Sequence, residues 1–244
     1  MTKIILSADS TCDLGDELKA KYQVHYYPFH IILGDKQYQD NVDITPEEIF
    51  QAYWERKILP KTAAIGVGEY LDYFRKWVEN GYQVIHLNLG SGISSAYQNC
   101  CMAARELGNV FPINSGNLSS AIGLLVVEAG KRISQGMPAP QIQKEIQELT
   151  AKCHGSFVLD TLEFLHAGGR CSAVAALGAN LLRLKPCIEV NNRDATMRVG
   201  KKYRGDLDKV LVQYTRDKLM NRDDLNLDRC FLVNAGISKE RLNL

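Results

Sequence analysis

The stretch from Gln83 to Cys100, QVIHLNLGSGISSAYQNC, constrains the fold of this chain more than any other. An apolar, strand-forming run from Val84 to Leu89 meets Gly90, Ser91 and Gly92, and an amphipathic segment opens near Ser94. The pattern predicts a strand, a turn and a helix. At such a junction unpaired backbone N–H groups and short hydroxyls converge at a helix N-terminus, where the helix dipole favours an anion or a carboxylate. Ser94 as a simple helix cap is the competing reading, and spacing leaves both open.

The same strand-then-helix rhythm recurs on either side. Lys3 to Ala8 reads as a first strand, with Asp9, Ser10, Thr11 and Asp13 at its C-terminal end and a short helix over Asp16 to Lys21. Polar residues leaving a central strand stand where open α/β sheets hold their ligands, although an aspartate there also makes a good cap or turn. His25 to Leu33 is extended, Gly34 and Asp35 turn it, and Tyr38 to Val42 returns. Thr45-Pro46-Glu47-Glu48 is a helix start, with a hydroxyl cap, proline in the first turn and glutamate three residues after the cap. After Leu59-Pro60-Lys61-Thr62 a helix over Glu69 to Glu79 leads through Gly81 into the strand at Val84. Thr62 thus precedes one helix as Ser94 precedes the next. Tyr53, Trp54, Tyr70 and Tyr73 suit either core packing or the lining of a ligand path.

The helix from Ser94 runs to Leu107, Asn109 to Ile113 reads as a strand, Asn114 and Ser115 leave its end, and Ser119 opens a long helix. Pro138 and Pro140 introduce one more. Alternation of this kind over residues 1–152 predicts a parallel sheet flanked by helices. The rhythm changes at Cys153. Short strands at Ser156 to Leu159, Pro186 to Val190, Thr196 to Lys201 and Cys230 to Val233 accompany an almost uncharged helix over Ser172 to Leu182 and another over Asp206 to Lys218. Residues 153–244 therefore read as a second α/β lobe on an antiparallel sheet, and the fold class is α/β with two lobes.

Composition narrows the function. Lys plus Arg is 29 against 28 for Asp plus Glu, so no field of one sign is present to gather nucleic acid. The basic cluster of Arg198, Lys201, Lys202 and Arg204 reads as a solvated face. Seven cysteines without paired C-x-x-C spacing argue against a disulfide framework or a structural zinc site. No apolar run is long enough to cross a bilayer and no signal-peptide pattern is present, so the expected location is the cytoplasm. Neither a dinucleotide fingerprint nor a phosphate loop occurs, and Gly90-Ser91-Gly92 lacks the lysine and third glycine these need. The five histidines are scattered, His86 inside a strand pattern reads as structural, and no local feature positions a nucleophile.

These residues together resemble the DegV family of bacterial fatty-acid-binding proteins, which present an acyl chain to a separate fatty acid kinase. The likeness runs through Asp9-Ser10-Thr11 with Asp13-Leu14, Gly34 with Tyr38-Gln39-Asp40, Lys61-Thr62, Ser91-Gly92-Ile93-Ser94 with Tyr97-Gln98-Asn99, and Ser115 with Ser119 and Gly123. It continues in Thr161 to Leu165, Gly168-Gly169-Arg170, Leu184-Lys185-Pro186 and Arg204-Gly205. The resemblance implies a non-enzymatic carrier with a long-chain fatty acid between the lobes and its carboxylate on Thr62 and Ser94. Arg170, Asp9, Ser10, Ser115 and Ser119 would then belong to the polar end or to a partner-facing surface. No cofactor and no metal are implied, a role in phospholipid metabolism follows, and transient membrane contact fits it.

Several positions depart from the family pattern. Its usual Ser-Gln-Pro after Lys61-Thr62 is Ala63-Ala64-Ile65, its Gly-Thr after Ser94 is Ser95-Ala96, its Asp before Ser115 is Asn114, and its C-terminal His-Ala-Gly is Asn234-Ala235-Gly236. The second lobe is also shorter at its C-terminus than the family's usual length. A binding protein for another apolar ligand is the alternative these changes favour. An enzyme acting on acyl or phosphorylated substrates through Asp9 and Arg170 is a further one.

Overall fold

The computed structural model describes residues 3–169, 184–220 and 222–242. Arg170 and the uncharged helix expected over Ser172 to Leu182 lie outside them. By its contacts the chain divides into two compact units, the first of Met1–His154 with Asn192–Ala195 and the second of Gly155–Asn191 with Thr196–Leu244.

The first unit contains strands β1 (Ile4–Asp9), β2 (His25–Tyr27), β3 (His30–Leu33), β4 (Lys36–Gln39), β5 (Lys61–Ala63), β6 (Gln83–Asn88) and β7 (Val110–Asn114). Its helices are α1 (Asp16–Lys21), α2 (Pro46–Arg56), α3 (Val67–Val78), α4 (Ala96–Leu107), α5 (Ser120–Ser134) and α6 (Ala139–Leu149). Four strands form a parallel sheet in the order β2-β1-β6-β7. Helix α3 packs on α4 and α5 on α6, and both pairs contact the sheet. Covered on both faces, β6 buries every residue from Val84 to Asn88, which is why its sequence is an almost unbroken apolar run. Tyr53, Tyr70 and Phe74 are core residues of this unit, whereas Trp54 is exposed.

Local chemistry sets the helix starts. Thr45 accepts from the N–H of Glu48 while Glu48 accepts from the N–H of Thr45, the reciprocal cap that begins α2. Helix α4 begins at Ala96 instead of Ser94, because the N–H groups of Ile93 and Ser94 both bond the carbonyl of Gly90 and wrap residues 90–94 into a separate turn. The unit also holds a second, antiparallel sheet, β4-β3-β5, in which Thr62 pairs with Ile31. Strand β5 has only three residues, too few for periodicity to reveal.

The tetrapeptide Asn192–Ala195 is part of the first unit. A side chain at Gly92 would run into the carbonyl oxygen of Asp194, and one at Gly90 into the Cβ of Ala195. Asn192 donates to the carbonyls of Ala151, at 2.9 Å, and Cys153, at 3.1 Å. Glycine at 90 and 92 is thus required by close backbone approach.

The second unit contains β8 (Ser156–Val158), β9 (Leu184–Val190) and β10 (Met197–Arg204), an antiparallel sheet ordered β10-β9-β8, with α7 (Glu163–Gly168), α8 (Leu207–Leu219) and α9 (Lys239–Leu242). Ile188 gathers Phe157, Leu162, Leu165, Met197 and Val199, while Cys187, Tyr203 and Val210 pack with Val158 and Tyr214. The strand expected over Cys230 to Val233 does not form. That run pairs with no strand among the described residues and leaves Leu232 72% exposed.

Candidate functional site

Strands β1, β6 and β7 are neighbours in parallel register, with Ala8 opposite Leu87 and Asn88 opposite Asn114. Their C-terminal ends release three adjacent loops, Ser10 to Gly15, Leu89 to Ser95 and Ser115 to Ser119. In a parallel α/β sheet this is the edge that holds ligands.

Beneath the loops lies a sealed polar chain. Asp9, His86 and Ser7 are fully buried. Asp9 Oδ1 accepts from Tyr70 Oη at 2.8 Å and from His86 Nε2 at 3.0 Å, and its Oδ2 accepts the backbone N–H of Leu89 at 2.7 Å. With the Nε2 hydrogen on Asp9, His86 Nδ1 is left to accept from Ser7 Oγ, 2.9 Å away. Ser7 Oγ also lies 2.9 Å from Tyr73 Oη. Serine, histidine and aspartate are connected in the order of a hydrolase triad, a connection the sequence did not reveal because Asp9 and His86 are 77 residues apart. With none of the three reachable from solvent, the chain serves to fix the start of the β6 loop through Leu89. Tyr70 is pushed well above its ordinary range by burial and then by the Asp9 charge, so it stays a hydrogen donor.

The hydroxyls at this edge divide by where their hydrogen goes. Ser10 Oγ donates to Asp40 Oδ2 at 2.6 Å while accepting the N–H of Phe29. Ser115 Oγ donates to the carbonyl of Asn117 at 3.0 Å. Ser119, just before α5, has its backbone at φ 56° and ψ −141°, a sparsely populated conformation for a residue with a side chain. Ser10 and Ser115 thus spend their hydrogens internally. Ser94 Oγ instead accepts from the N–H of Ala96 at 3.2 Å, so its own hydrogen is left to give. Thr62 is exposed on β5.

The elements carrying Thr62 and Ser94 are tied to one another. Asn99, in the first turns of α4, donates to the carbonyl of Ile65 at 2.7 Å, and Ile65 follows Thr62 by three residues in the strand's exit. Ser94 stands just before α4, and all of this lies within the first unit. Arg170 is outside the described residues.

Three buried oxygens at the same sheet edge, Thr11 Oγ1, Asn88 Oδ1 and Asn117 Oδ1, have no hydrogen-bond partner. One follows β1, one ends β6 and one follows β7. Buried polar atoms without partners are rare, and three of them stand at neighbouring strand ends here.

Residues 2–224 match the family model described as an uncharacterised protein of the DegV family. A DegV domain-containing protein of Clostridium acetobutylicum is 31% identical over 239 residues, which covers 96% of this chain and 84% of that one. The solved structure of a fatty-acid-binding DegV family protein from Thermus thermophilus superposes with a TM-score of 0.78 at 27% identity, covering 91% of this chain and 79% of that one. A stearic-acid-binding protein from Eubacterium ventriosum superposes with a TM-score of 0.78 at 28% identity, covering 90% and 77%.

Proposed function

The chain belongs to the DegV family, and from that premise we propose that it binds a long-chain fatty acid, holds the carboxylate on Thr62 and Ser94, and presents it to a separate fatty acid kinase. The observation that carries the reading is its likeness to structures that bind fatty acids, at 27% and 28% identity, and the Ser94 hydroxyl, whose oxygen accepts from the N–H of Ala96, supports it. An acyl chain leaving water gains about 0.8 kcal/mol per buried CH₂, so such a ligand is held without catalytic machinery. Its head needs hydrogen-bond donors once it is enclosed. A hydroxyl whose oxygen already accepts from the backbone offers one at little cost.

Carrier function also explains what the polar chain does. Ser7, His86 and Asp9 are sealed, and a buried serine cannot attack a substrate it never meets. A carrier needs its loop fixed, and the Asp9 to Leu89 bond does that.

The test is mass spectrometry of the purified protein, first native and then after solvent extraction. A fatty acid at near-stoichiometric level supports the carrier and reports its preferred chain. A folded protein that is empty and takes up no added fatty acid overturns it.

A further inference from the structure

We propose that Ser91 is a further donor to the anionic head of the ligand, and that Asn114 frees it for that role. The inference rests on the carrier reading and adds a residue to its site.

Asn114 ends β7 and spans two loops. Its Oδ1 accepts two backbone N–H groups, that of Ser91 at 3.1 Å and that of Gly116 at 3.1 Å. Backbone donors face an oxygen, so the orientation of this amide is fixed, and its Nδ2 points the other way. There it donates to Ser91 Oγ at 2.8 Å. Gln147 clamps the backbone of Asn114 itself, its Oε1 accepting the N–H and its Nε2 donating to the carbonyl, both at 3.0 Å. Ser91 Oγ is therefore an acceptor in this network, and its own hydrogen is not used by the amide.

Ser91 shares its loop with Ser94. Ile93 and Ser94 both bond the carbonyl of Gly90, at 2.9 and 3.3 Å, which coils residues 90–94 into one turn. Ser91 lies in that turn and Ser94 stands at its end. Ser91 and Ser94 are three apart, each accepts an internal N–H, and each keeps its hydroxyl hydrogen. Ser10 and Ser115, on neighbouring loops, do the opposite. The β6 loop thus carries a pair of matched donors, and a carboxylate has acceptor sites for both.

An aspartate at position 114 would change this in a defined way. Its Oδ1 would still take the two backbone N–H groups, but its second oxygen has no hydrogen to give and would draw the Ser91 hydrogen to itself. A neutral amide at 114 leaves that hydrogen for the ligand and places no negative charge beside it.

The experiment measures binding of oleate and of oleyl alcohol to delipidated protein by equilibrium dialysis, for the wild type, Ser91→Ala, Asn114→Asp and the double variant. Ser91→Ala is expected to weaken oleate about tenfold while leaving the alcohol, which has no anionic head, within twofold. Asn114→Asp is expected to weaken oleate at least as much, and to cost less in the Ser91→Ala background because the diverted hydrogen is already gone. Circular dichroism checks that each variant is folded. Unchanged oleate affinity in folded Ser91→Ala, or equal losses for oleate and alcohol, overturns the role of Ser91. Equal costs of Asn114→Asp in both backgrounds overturn the role of Asn114. A wild type that binds neither ligand sinks the carrier reading itself and this inference with it.

Discussion

The Asp9 carboxylate accepts the backbone N–H of Leu89 across 2.7 Å, joining the end of one parallel strand to the loop that leaves its neighbour. The other carboxylate oxygen holds Tyr70 and His86, so one buried side chain sets both the core beneath the loop and the first residue of the loop above it.

Asp9→Ala strips these buried donors of their acceptor, and the expected loss of stability is on the order of 3 kcal/mol. Tyr70→Phe removes a single hydroxyl and is expected to cost about 1 kcal/mol. Urea unfolding followed by circular dichroism ranks the two, and a smaller loss for Asp9→Ala would contradict the role assigned to the carboxylate.

Replacing Thr62 or Ser94 with alanine is expected to leave the protein folded, since Thr62 is exposed and Ser94 gives up only one 3.2 Å bond from the N–H of Ala96. Each lost hydrogen bond to a charged head is worth about 1.5–3 kcal/mol, so oleate affinity is expected to fall about tenfold or more per substitution. Calorimetric titration of oleate reads this directly, and unchanged affinity in the folded double variant rejects their assignment.

The second unit carries a pH-dependent increment. Glu189 receives Lys218 Nζ at 2.7 Å and Arg198 across the β9–β10 pair at 3.1 Å, and Gly200 leaves room for its carboxyl. The hydrogen bond from Lys218 holds Glu189 below its ordinary 4.5, opposed by partial burial and aided by the charges of Lys218 and Arg198. A lowered carboxyl stabilises the folded state fully above the unfolded value and loses this increment as the pH falls through the folded value. Glu189→Gln should therefore cost about 0.5–1 kcal/mol at pH 7 and progressively less as the pH drops below 4.5. Melting temperatures across pH 3 to 7 test this, and a gap that widens toward acid would refute it.

Thiol labelling should proceed in a set order. Burial pushes Cys12 up to about 12 and Cys153 up to about 11, and it raises Cys100 well above 9.0. Cys230 is exposed. Peptide mapping after brief treatment with an alkylating reagent is expected to find Cys230 modified and Cys12, Cys100 and Cys153 intact until denaturant is added.

Much of the fold was readable because its signals are local. The cap at Thr45 and Glu48 needs only four residues, and β6 declares itself through a run that must be apolar when both faces are covered. The resemblance to the family spread over motifs from Asp9 to Gly205 and needed no long-range geometry. Strand β5 is silent in the sequence because Lys61–Ala63 is too short to show a period, and Cys230 to Val233 has the composition of a strand but finds no partner edge among the described residues. The hydroxyls of the site were all visible as residues. Which of them keeps its hydrogen was not, because that depends on a neighbour such as Asp40 for Ser10 or Asn114 for Ser91, 30 and 23 positions away. The sealed chain beneath them left one clue, a histidine in the middle of an apolar strand, which must find a polar partner somewhere.

Residues 192–195 belong to the first unit although the chain on both sides of them belongs to the second. The consequence concerns heredity. No single cut in the gene separates the two units, because a piece ending at His154 lacks the tetrapeptide against which Gly90 and Gly92 are fitted and the amide that caps the carbonyl of Cys153. Recombination that exchanged either unit alone would have to carry a matching hairpin tip with it. A change at Asp194 or Ala195 is felt by two glycines more than a hundred positions upstream.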